Sequence, residues 1–270
     1  GISRSKQQKF FFSKYHFNKN IQNFNFKQIN LNNTKKIISV LDEFKPEYII
    51  NYSAQSMVSE SWDFPLDWYY TNVIGTISLV ESLRNKEYLK KYIHFSTPEV
   101  YGSTNQYIKE GQKFNPSTPY AVSRATSDFH IDLLNKEFNF SSIITRASNV
   151  YGECQSLYRI IPITIIKILK NEKLFLHGGG KSERSFIHID DVNSALIKIL
   201  NKGTVGNTYH IATKDKISIY NLVKKITNLM DYDIKDLIIN TSDRLGKDKN
   251  YFLNSNKIRD ELKWNDRINL

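Results

Sequence analysis

Apolar residues follow two different spacings along the chain, and the two spacings predict a regular succession of strands and helices. Short apolar runs predict buried strands at residues 48–52, 92–95 and 142–146. Apolar positions at helical spacing predict helices at residues 35–44, 67–85 and 120–138. Because a strand, a helix and a further strand in succession form a βαβ unit, the alternation predicts a parallel sheet.

The second half of the chain has shorter and more mixed elements. Helices are predicted at residues 160–169, 190–200 and 218–230, and strands at 174–177, 186–189 and 208–212. Asp190 and Asp191 are the predicted cap of the second of these helices, and Ser218 is the predicted cap of the third. We therefore predict an α/β protein with a Rossmann-like doubly wound parallel sheet at residues 1–152. A smaller, interleaved mixed α/β lobe is predicted at 153–270, with residues 185–212 partly returning to the sheet.

Local sequence signals add detail to the prediction for the first half of the chain. Residues 26–31 alternate between apolar and polar side chains, as a strand does. Asn32, Asn33 and Thr34 offer N-cap chemistry for the helix at 35–44, and Pro46 stops that helix.

Composition narrows the class of protein. The 270 residues are 40% hydrophobic and 24% charged, which is typical of a globular protein. The net charge of +11 permits an anionic partner, but no nucleic-acid-binding motif accompanies it, so we expect no nucleic acid. No apolar run approaches the roughly 18 residues that cross a bilayer, so we expect no membrane. The single cysteine, Cys154, excludes an internal disulfide and favours a cytoplasmic setting, and the six histidines show no metal-ligand spacing.

The candidate chemistry lies at the end of the strand at 92–95. Thr97 and Glu99 follow this strand directly, where open parallel sheets bind their ligands. Tyr120 and Arg124 lie four positions apart near the start of the next helix, so they share one helix face. A cation one helical turn away lowers the pKa of a phenol from its ordinary value of about 10. Arg124 supplies that cation.

Four segments in order resemble the signatures of extended short-chain dehydrogenase/reductases. They are residues 96–102, 120–124, 146–152 and 184–192. Within that superfamily the chain resembles the nucleotide-sugar 4,6-dehydratases, most closely the dTDP-glucose 4,6-dehydratase group. The resemblance implies conversion of an NDP-hexose, of dTDP-glucose or GDP-mannose type, to its 4-keto-6-deoxy sugar by transient hydride transfer to NAD or NADP. It also implies a homodimer built on the helices that start near Asp67 and Tyr120.

The resemblance assigns roles to individual residues. Tyr120 is the base for the sugar hydroxyl, Thr97 hydrogen-bonds the same hydroxyl, and Glu99 removes the proton beside the new ketone. The cofactor residues implied are Arg4, Ser5, Leu31, Asn32, Ala54, Gln55, Ser56, Tyr120, Arg124 and Asn149. The substrate residues implied are Ser56, Asn149, Arg159, Arg184 and Arg244.

Two residues depart from the family pattern. Arg124 stands where the family has lysine, so we expect a shifted pH profile or a weakened enzyme. Pro98 stands where the dTDP-glucose enzymes generally have an aspartate that protonates the departing hydroxyl. A 4-epimerase or decarboxylase of the same fold therefore stays open, and so does a sugar-nucleotide-binding relative with impaired catalysis.

The start of the chain bears on the cofactor. A Rossmann sheet carries its Gly-rich phosphate loop after the first strand, and this sequence has no such loop near Gly1. We interpret residues 1–5 as the end of the second strand, which leaves an expected strand, loop and helix of about 30 residues upstream. Arg4, flanked by Ser3 and Ser5, favours NADP because an arginine at this strand end accepts the 2′-phosphate.

Overall fold

The computed structural model describes residues 1–9, 12–18, 20–243 and 250–270. Its strands in chain order are β1 (Ile2–Ser3), β2 (Lys27–Gln28), β3 (Tyr48–Asn51), β4 (Lys91–Phe95), β5 (Tyr107–Ile108), β6 (Ser142–Ala147), β7 (Asn149–Tyr151), β8 (Leu174–His177), β9 (Glu183–Arg184), β10 (Phe186–His188), β11 (Thr208–Ile211), β12 (Ile217–Ser218), β13 (Ile238–Thr241) and β14 (Phe252–Leu253). Its α-helices are α1 (Thr34–Phe44), α2 (Glu60–Asp63), α3 (Pro65–Trp68), α4 (Thr76–Leu83), α5 (Pro119–Phe138), α6 (Ile160–Leu169), α7 (Ile189–Lys202), α8 (Ile219–Leu229), α9 (Ile234–Leu237) and α10 (Asn256–Leu262).

A four-stranded parallel sheet forms the centre of the molecule. Its strand order is β11-β6-β4-β3, and every pairing in it is parallel. Neighbouring residues along a strand point to opposite faces, and here both faces are covered. Ile93 and Ile143 pack into a core with α7 and α10, whereas Tyr92 and Ile144 pack into a second core with α1, α4 and α5. This is the predicted α/β architecture with helices on both sides of the sheet.

The N-terminal strands are shorter than the pattern indicates. Of the predicted strand at 26–31, only the two residues of β2 are in a strand, and they pair in parallel with β1. Asn30 ends it, because its side-chain Oδ1 accepts the backbone N–H of Asn32 at 3.0 Å and turns the chain. The predicted cap then holds: Asn33 Oδ1 accepts the N–H of Lys36 at 3.2 Å, at the start of α1.

The helix predicted at 67–85 is continuous but not uniform. A π-helical segment, Tyr69–Gly75, separates α3 from α4. Inside it the fully buried Asn72 accepts the N–H of Gln55 at 2.8 Å and donates to Gln55 O at 3.0 Å and to Ser123 Oγ at 2.9 Å. The widened turn carries this polar side chain inward, to the loop after β3 and to α5, as π-segments commonly do at functional sites.

In the second half one predicted cap is corrected, and two short helices, α9 and α10, were not predicted. The side chain that caps α7 is His188, whose Nδ1 accepts the N–H of Asp190 at 3.2 Å, and not Asp190 or Asp191. The Asp191 carboxylate instead accepts the N–H groups of Arg267 and Ile268. Helix α10 was not predicted, because seven residues give too little periodicity. Strand β11 pairs with β6 in the main sheet, and the lobe boundaries stay a prediction.

Candidate active site

A cavity of about 1230 Å³ opens at the carboxyl ends of the central strands. The loops after β3 and β4 and the end of β6 form its inner part, and α6, β8 and β9 form its outer part. This is the edge at which open α/β sheets bind ligands. In the part of the chain that the structure describes, the predicted residues that border the cavity are Ala54, Ser56, Thr97, Glu99, Tyr120, Arg124, Asn149, Arg159 and Arg184.

Thr97 joins the two residues expected to move protons. It precedes a short 3-10 turn, Pro98–Tyr101, that carries Glu99, and its hydroxyl donates to the Glu99 carboxylate. The same hydroxyl is hydrogen-bonded to Tyr120. Gly102 ends the turn at φ +68°, where a Cβ would collide with the carbonyl oxygen of Asn115. The loop is therefore shaped to hold Glu99 beside Tyr120.

Tyr120 lies in the first turn of α5, immediately after the cap. The Thr118 hydroxyl oxygen accepts the N–H of Ala121 at 3.1 Å, and this cap sets the start of the helix. The pKa of Tyr120 is raised to about 12, mainly by burial and also by the Glu99 carboxylate, although Arg124 and the Thr97 hydrogen bond lower it in part. The phenol is thus neutral near pH 7 in the unliganded cavity, and a bound cation would favour its ionisation.

Arg124 is buried and only partly hydrogen-bonded. Its Nη2 donates to the Phe95 carbonyl and lies 3.2 Å from His94 Nε2. Its Nε and Nη1 have no hydrogen-bond partner within the described residues. Buried donors without partners destabilise a protein, so these N–H groups fit a ligand that carries several oxygen acceptors.

Several predicted residues lie elsewhere. Arg4 and Ser5 are exposed at the end of β1, and Leu31 is buried in the core, so none of them borders the cavity. Asn32 lines a separate groove beside α1. Gln55 does not border the cavity either, although its backbone is held by Asn72. Arg244 lies outside the described residues, and the roles assigned to all of these stay predictions.

Tyr251 is a cavity residue that sequence reasoning missed. Its hydroxyl oxygen lies 3.2 Å from Glu99 Oε1 and 3.3 Å from Asn149 Oδ1. Its ring stacks against the Arg184 guanidinium at 4.4 Å. The only sequence signal was one aromatic residue ahead of the apolar pair at 252–253, and nothing in that signal indicates chemistry.

Replacing Tyr251 by Phe should lower kcat about tenfold and leave KM nearly unchanged. The phenyl ring keeps the stack on Arg184, whereas the hydrogen bond that positions Glu99 is lost. Steady-state kinetics of the full-length protein would check this. A rise in KM with an unchanged kcat would contradict it and would assign Tyr251 to substrate binding alone.

A buried polar network lies behind the cavity. Asp128 Oδ2 accepts from Ser96 Oγ and from Arg146 Nη2, each at 2.6 Å. Arg146 Nη1 in turn donates to the Tyr101 hydroxyl at 3.1 Å, which is 2.9 Å from His210 Nε2. Burial raises the pKa of Tyr101 to about 12 and lowers the pKa of His210 to about 3, so both groups are neutral.

Changing Asp128 to Asn should lower the free energy of unfolding by about 3–5 kcal/mol, because Arg146 would become a buried charge without its counter-ion. Asp132 on the same helix is the matched control. It pairs with Lys136 at the surface, so Asp132→Asn should change the free energy of unfolding far less. Urea unfolding of the three proteins would check this, and equal losses from the two substitutions would contradict it.

Three side chains near the cavity mouth could hold a metal ion. Ligand atoms of Glu153, His188 and Asp190 lie within 4.8 Å of one another. Lys14 Nζ already contacts these carboxylates, at 3.3 Å from Glu153 and 3.0 Å from Asp190. A lysine ammonium thus supplies the positive charge there. Sequence spacing did not reveal the cluster, because Glu153 comes from a different part of the chain than His188 and Asp190.

The fold and the cavity define an extended short-chain dehydrogenase/reductase. The GDP-mannose 4,6 dehydratase family matches this chain over residues 2–270, and the chain belongs to that family. Within the described ranges, every helix is too short or too polar to cross a bilayer.

Individual relatives agree with this assignment. The chain is 36% identical to a dTDP-D-glucose 4,6-dehydratase from Dictyostelium discoideum, over 77% of this chain and 50% of that protein. It thus spans about half the length of that relative. The solved dTDP-glucose 4,6-dehydratase of Bacillus anthracis, in complex with NAD, is 30% identical with a TM-score of 0.84, over 93% of this chain and 78% of that one. A UDP-glucose 4-epimerase from Thermotoga maritima shares the fold, at 22% identity and a TM-score of 0.88, over 99% of this chain and 85% of that one.

Proposed function

We propose that this chain carries the catalytic site of a nucleotide-sugar 4,6-dehydratase, a hydro-lyase that uses a nicotinamide cofactor. The observation that carries the proposal is the position of Glu99, held between the hydroxyls of Thr97 and Tyr251 and beside Tyr120. Simple 4-epimerases need a base for one hydroxyl. A carboxylate fixed next to that base serves the additional step of elimination.

The residues divide the reaction between them. Tyr120 takes the proton of the sugar 4-hydroxyl, and Thr97 holds that hydroxyl. A nicotinamide bound here would supply the hydride acceptor for the oxidation and the hydride donor for the final reduction, so it would not be consumed. Glu99 removes the proton from carbon 5, beside the new ketone, and that proton leaves with the hydroxyl of carbon 6 as water. The final reduction adds hydride to carbon 6 while carbon 5 regains one proton, which balances the proton that Tyr120 took. Pro98 has no proton to give, so Glu99 and its partner Tyr251 are the neighbouring groups that can protonate the leaving hydroxyl.

The cofactor would lie along the inner part of the cavity. Its ribose hydroxyls would meet the unpartnered Nε and Nη1 of Arg124, and Ala54, Ser56 and Asn149 would border it. The Bacillus anthracis structure contains NAD, which supports a nicotinamide cofactor here. A preference for NADP rests on Arg4 alone and belongs to the same proposal.

The substrate would lie in the outer part, where the charge is positive. Arg159 and Arg184 border the cavity there, together with Lys167 and Lys173. Arginine and lysine recognise phosphate oxygens, and Arg159 also precedes the first turn of α6, whose free N–H groups favour an anion. The positively charged outer part of the cavity would bind the diphosphate of the substrate. The sugar would then extend inward to Glu99 and Tyr120.

The proposal is tested on the full-length protein with NAD or NADP and with dTDP-glucose, GDP-mannose and UDP-glucose in turn. We expect a 4-keto-6-deoxy product, detected by mass spectrometry as loss of one water from the nucleotide sugar. Recovery of a 4-epimer would instead support the epimerase alternative. Tight cofactor binding with no product from any of the three substrates would support a non-catalytic binder.

The same proposal includes a homodimer and a cytoplasmic location. Apolar side chains are exposed along α5 and the neighbouring π segment, among them Phe129, Leu133, Tyr70 and Ile74. A second copy that packs on these helices would cover them. The double substitution Phe129→Glu and Leu133→Glu should therefore give a monomer in light scattering. A dimer that survives both changes would place the interface elsewhere.

A further inference from the structure

The side chain of Arg124, which is on α5, is held in place by residues of a neighbouring strand, β4. Its Nη2 donates to the Phe95 carbonyl and lies 3.2 Å from His94 Nε2, and both acceptors are on β4. Arg124 is 1% exposed and His94 is 0% exposed, so neither contact competes with solvent. The guanidinium therefore links α5 to the central sheet directly beneath the cavity.

This anchoring leaves a defined set of donors. Of the five N–H groups on an arginine side chain, the two on Nη2 are directed at β4. The other three, on Nε and Nη1, have no partner among the described residues, and Arg124 borders the cavity. Because the guanidinium is planar, fixing one nitrogen orients the other two. A lysine ammonium on a flexible stem would need no such anchor.

His94 can serve as the anchor only as a neutral imidazole. Arginine has no acceptor, so the 3.2 Å contact requires a lone pair on His94 Nε2. Burial, and then the positive charges of Arg124 and Arg146, hold the pKa of His94 well below its ordinary value. The nearest carboxylate oxygen, Asp128 Oδ1, lies farther away at 3.5 Å, and the other oxygen of Asp128 is bound to Ser96 and Arg146.

We propose that His94 is a positioning residue that allows an arginine to serve where the resembled family uses a lysine. It holds the Arg124 guanidinium so that Nε and Nη1 face the ribose hydroxyls of the cofactor. The inference deepens the proposed function and rests on it, because it requires a nicotinamide cofactor in this cavity.

A double-mutant cycle on the full-length protein tests the inference, with NADH and NADPH binding measured by fluorescence titration. His94→Phe keeps a ring but removes the acceptor, and it should weaken binding of the preferred cofactor by about tenfold or more. His94→Gln places an amide near the position of Nε2 and should restore affinity to within about threefold. In an Arg124→Lys background, His94→Phe should change affinity by less than about threefold.

Equal losses in the wild-type and Arg124→Lys backgrounds, or no loss with His94→Phe, would overturn the inference. His210→Gln is the matched control, since His210 is also buried but does not contact Arg124, and cofactor affinity should not change. Thermal unfolding reports whether each variant folds. If His94→Phe does not fold, His94→Asn replaces it, because its shorter amide does not reach the position of Nε2.

The two proposals fail in different ways. A wild-type protein that binds the cofactor but forms no product would refute the dehydratase and leave the role of His94 standing. A wild-type protein that forms product while the cycle shows equal losses in both backgrounds would refute only the role of His94. A wild-type protein that binds neither NADH nor NADPH would overturn both.

Discussion

Glu99→Gln should stop dehydration and leave oxidation of the sugar intact. Loss of a positioned acid or base typically slows a reaction by about 10²- to 10⁴-fold, so the 4-keto-6-deoxy product should fall by that factor. The Glu99 carboxylate raises the pKa of Tyr120, so its removal should lower that pKa and should not slow the first proton transfer. The reaction is then expected to halt after hydride transfer, with the cofactor in its reduced form.

The measurement is a single turnover with stoichiometric enzyme and nucleotide sugar, followed by the near-ultraviolet absorbance of the reduced nicotinamide. We expect a signal that accumulates and persists in Glu99→Gln but is transient in the wild type. Glu153→Gln is the matched control, because Glu153 lies at the cavity mouth and pairs with Lys14, away from Tyr120. If Glu99→Gln turned over at the wild-type rate, the dehydratase mechanism proposed for this site would be wrong.

Tyr120→Phe should abolish the oxidation itself. The substitution removes the phenol that takes the hydroxyl proton, so we expect a fall of about 10²- to 10⁴-fold and no reduced nicotinamide in the same single-turnover experiment. Nucleotide-sugar affinity should be nearly unchanged, because the diphosphate contacts proposed for Arg159 and Arg184 are untouched. Tyr158→Phe, a change at an exposed tyrosine that also borders the cavity, should have little effect.

The pH dependence gives Tyr120 a second readout. Because burial and Glu99 place its pKa at about 12, only a small fraction is ionised near neutrality, and that fraction grows with pH. The oxidation rate of the wild type should therefore rise between about pH 6 and about pH 9 until another step limits it. The residual rate of Tyr120→Phe should lack this rise. An identical profile in both proteins would assign the base to another group.

The parts of the fold that sequence predicted well are those set by local patterns. The strands at the centre of the sheet are buried on both faces, so each forms an apolar run, and β4 and β6 were predicted to within one residue at each end. The caps at Asn33 and Ser218 are local hydrogen bonds; Ser218 was predicted by name, and Asn33 is one of three adjacent residues predicted to cap α1. His188 was missed as a cap because histidine seldom has that role.

The parts that sequence could not supply depend on contacts between distant residues. Tyr251 is 152 positions from Glu99, and neither spacing nor periodicity relates them. The π segment was not predicted because its apolar positions still fit a helix. The resemblance predicted that Arg124 binds the cofactor. In the sequence, His94, the residue proposed to position Arg124, is only a polar residue within an apolar strand. The resemblance therefore supplied predicted roles for these residues, but neither it nor the sequence pattern indicated which groups hold them in place.

Asn72 makes the position of Tyr120, the proposed base, and the shape of the cavity wall interdependent. One side chain holds the backbone of Gln55, between two wall residues, and also the hydroxyl of Ser123, one turn after Tyr120. A displacement of α5 would therefore act on the cavity wall and on Tyr120 through the same side chain. With independent supports, the same movement would act on Tyr120 alone.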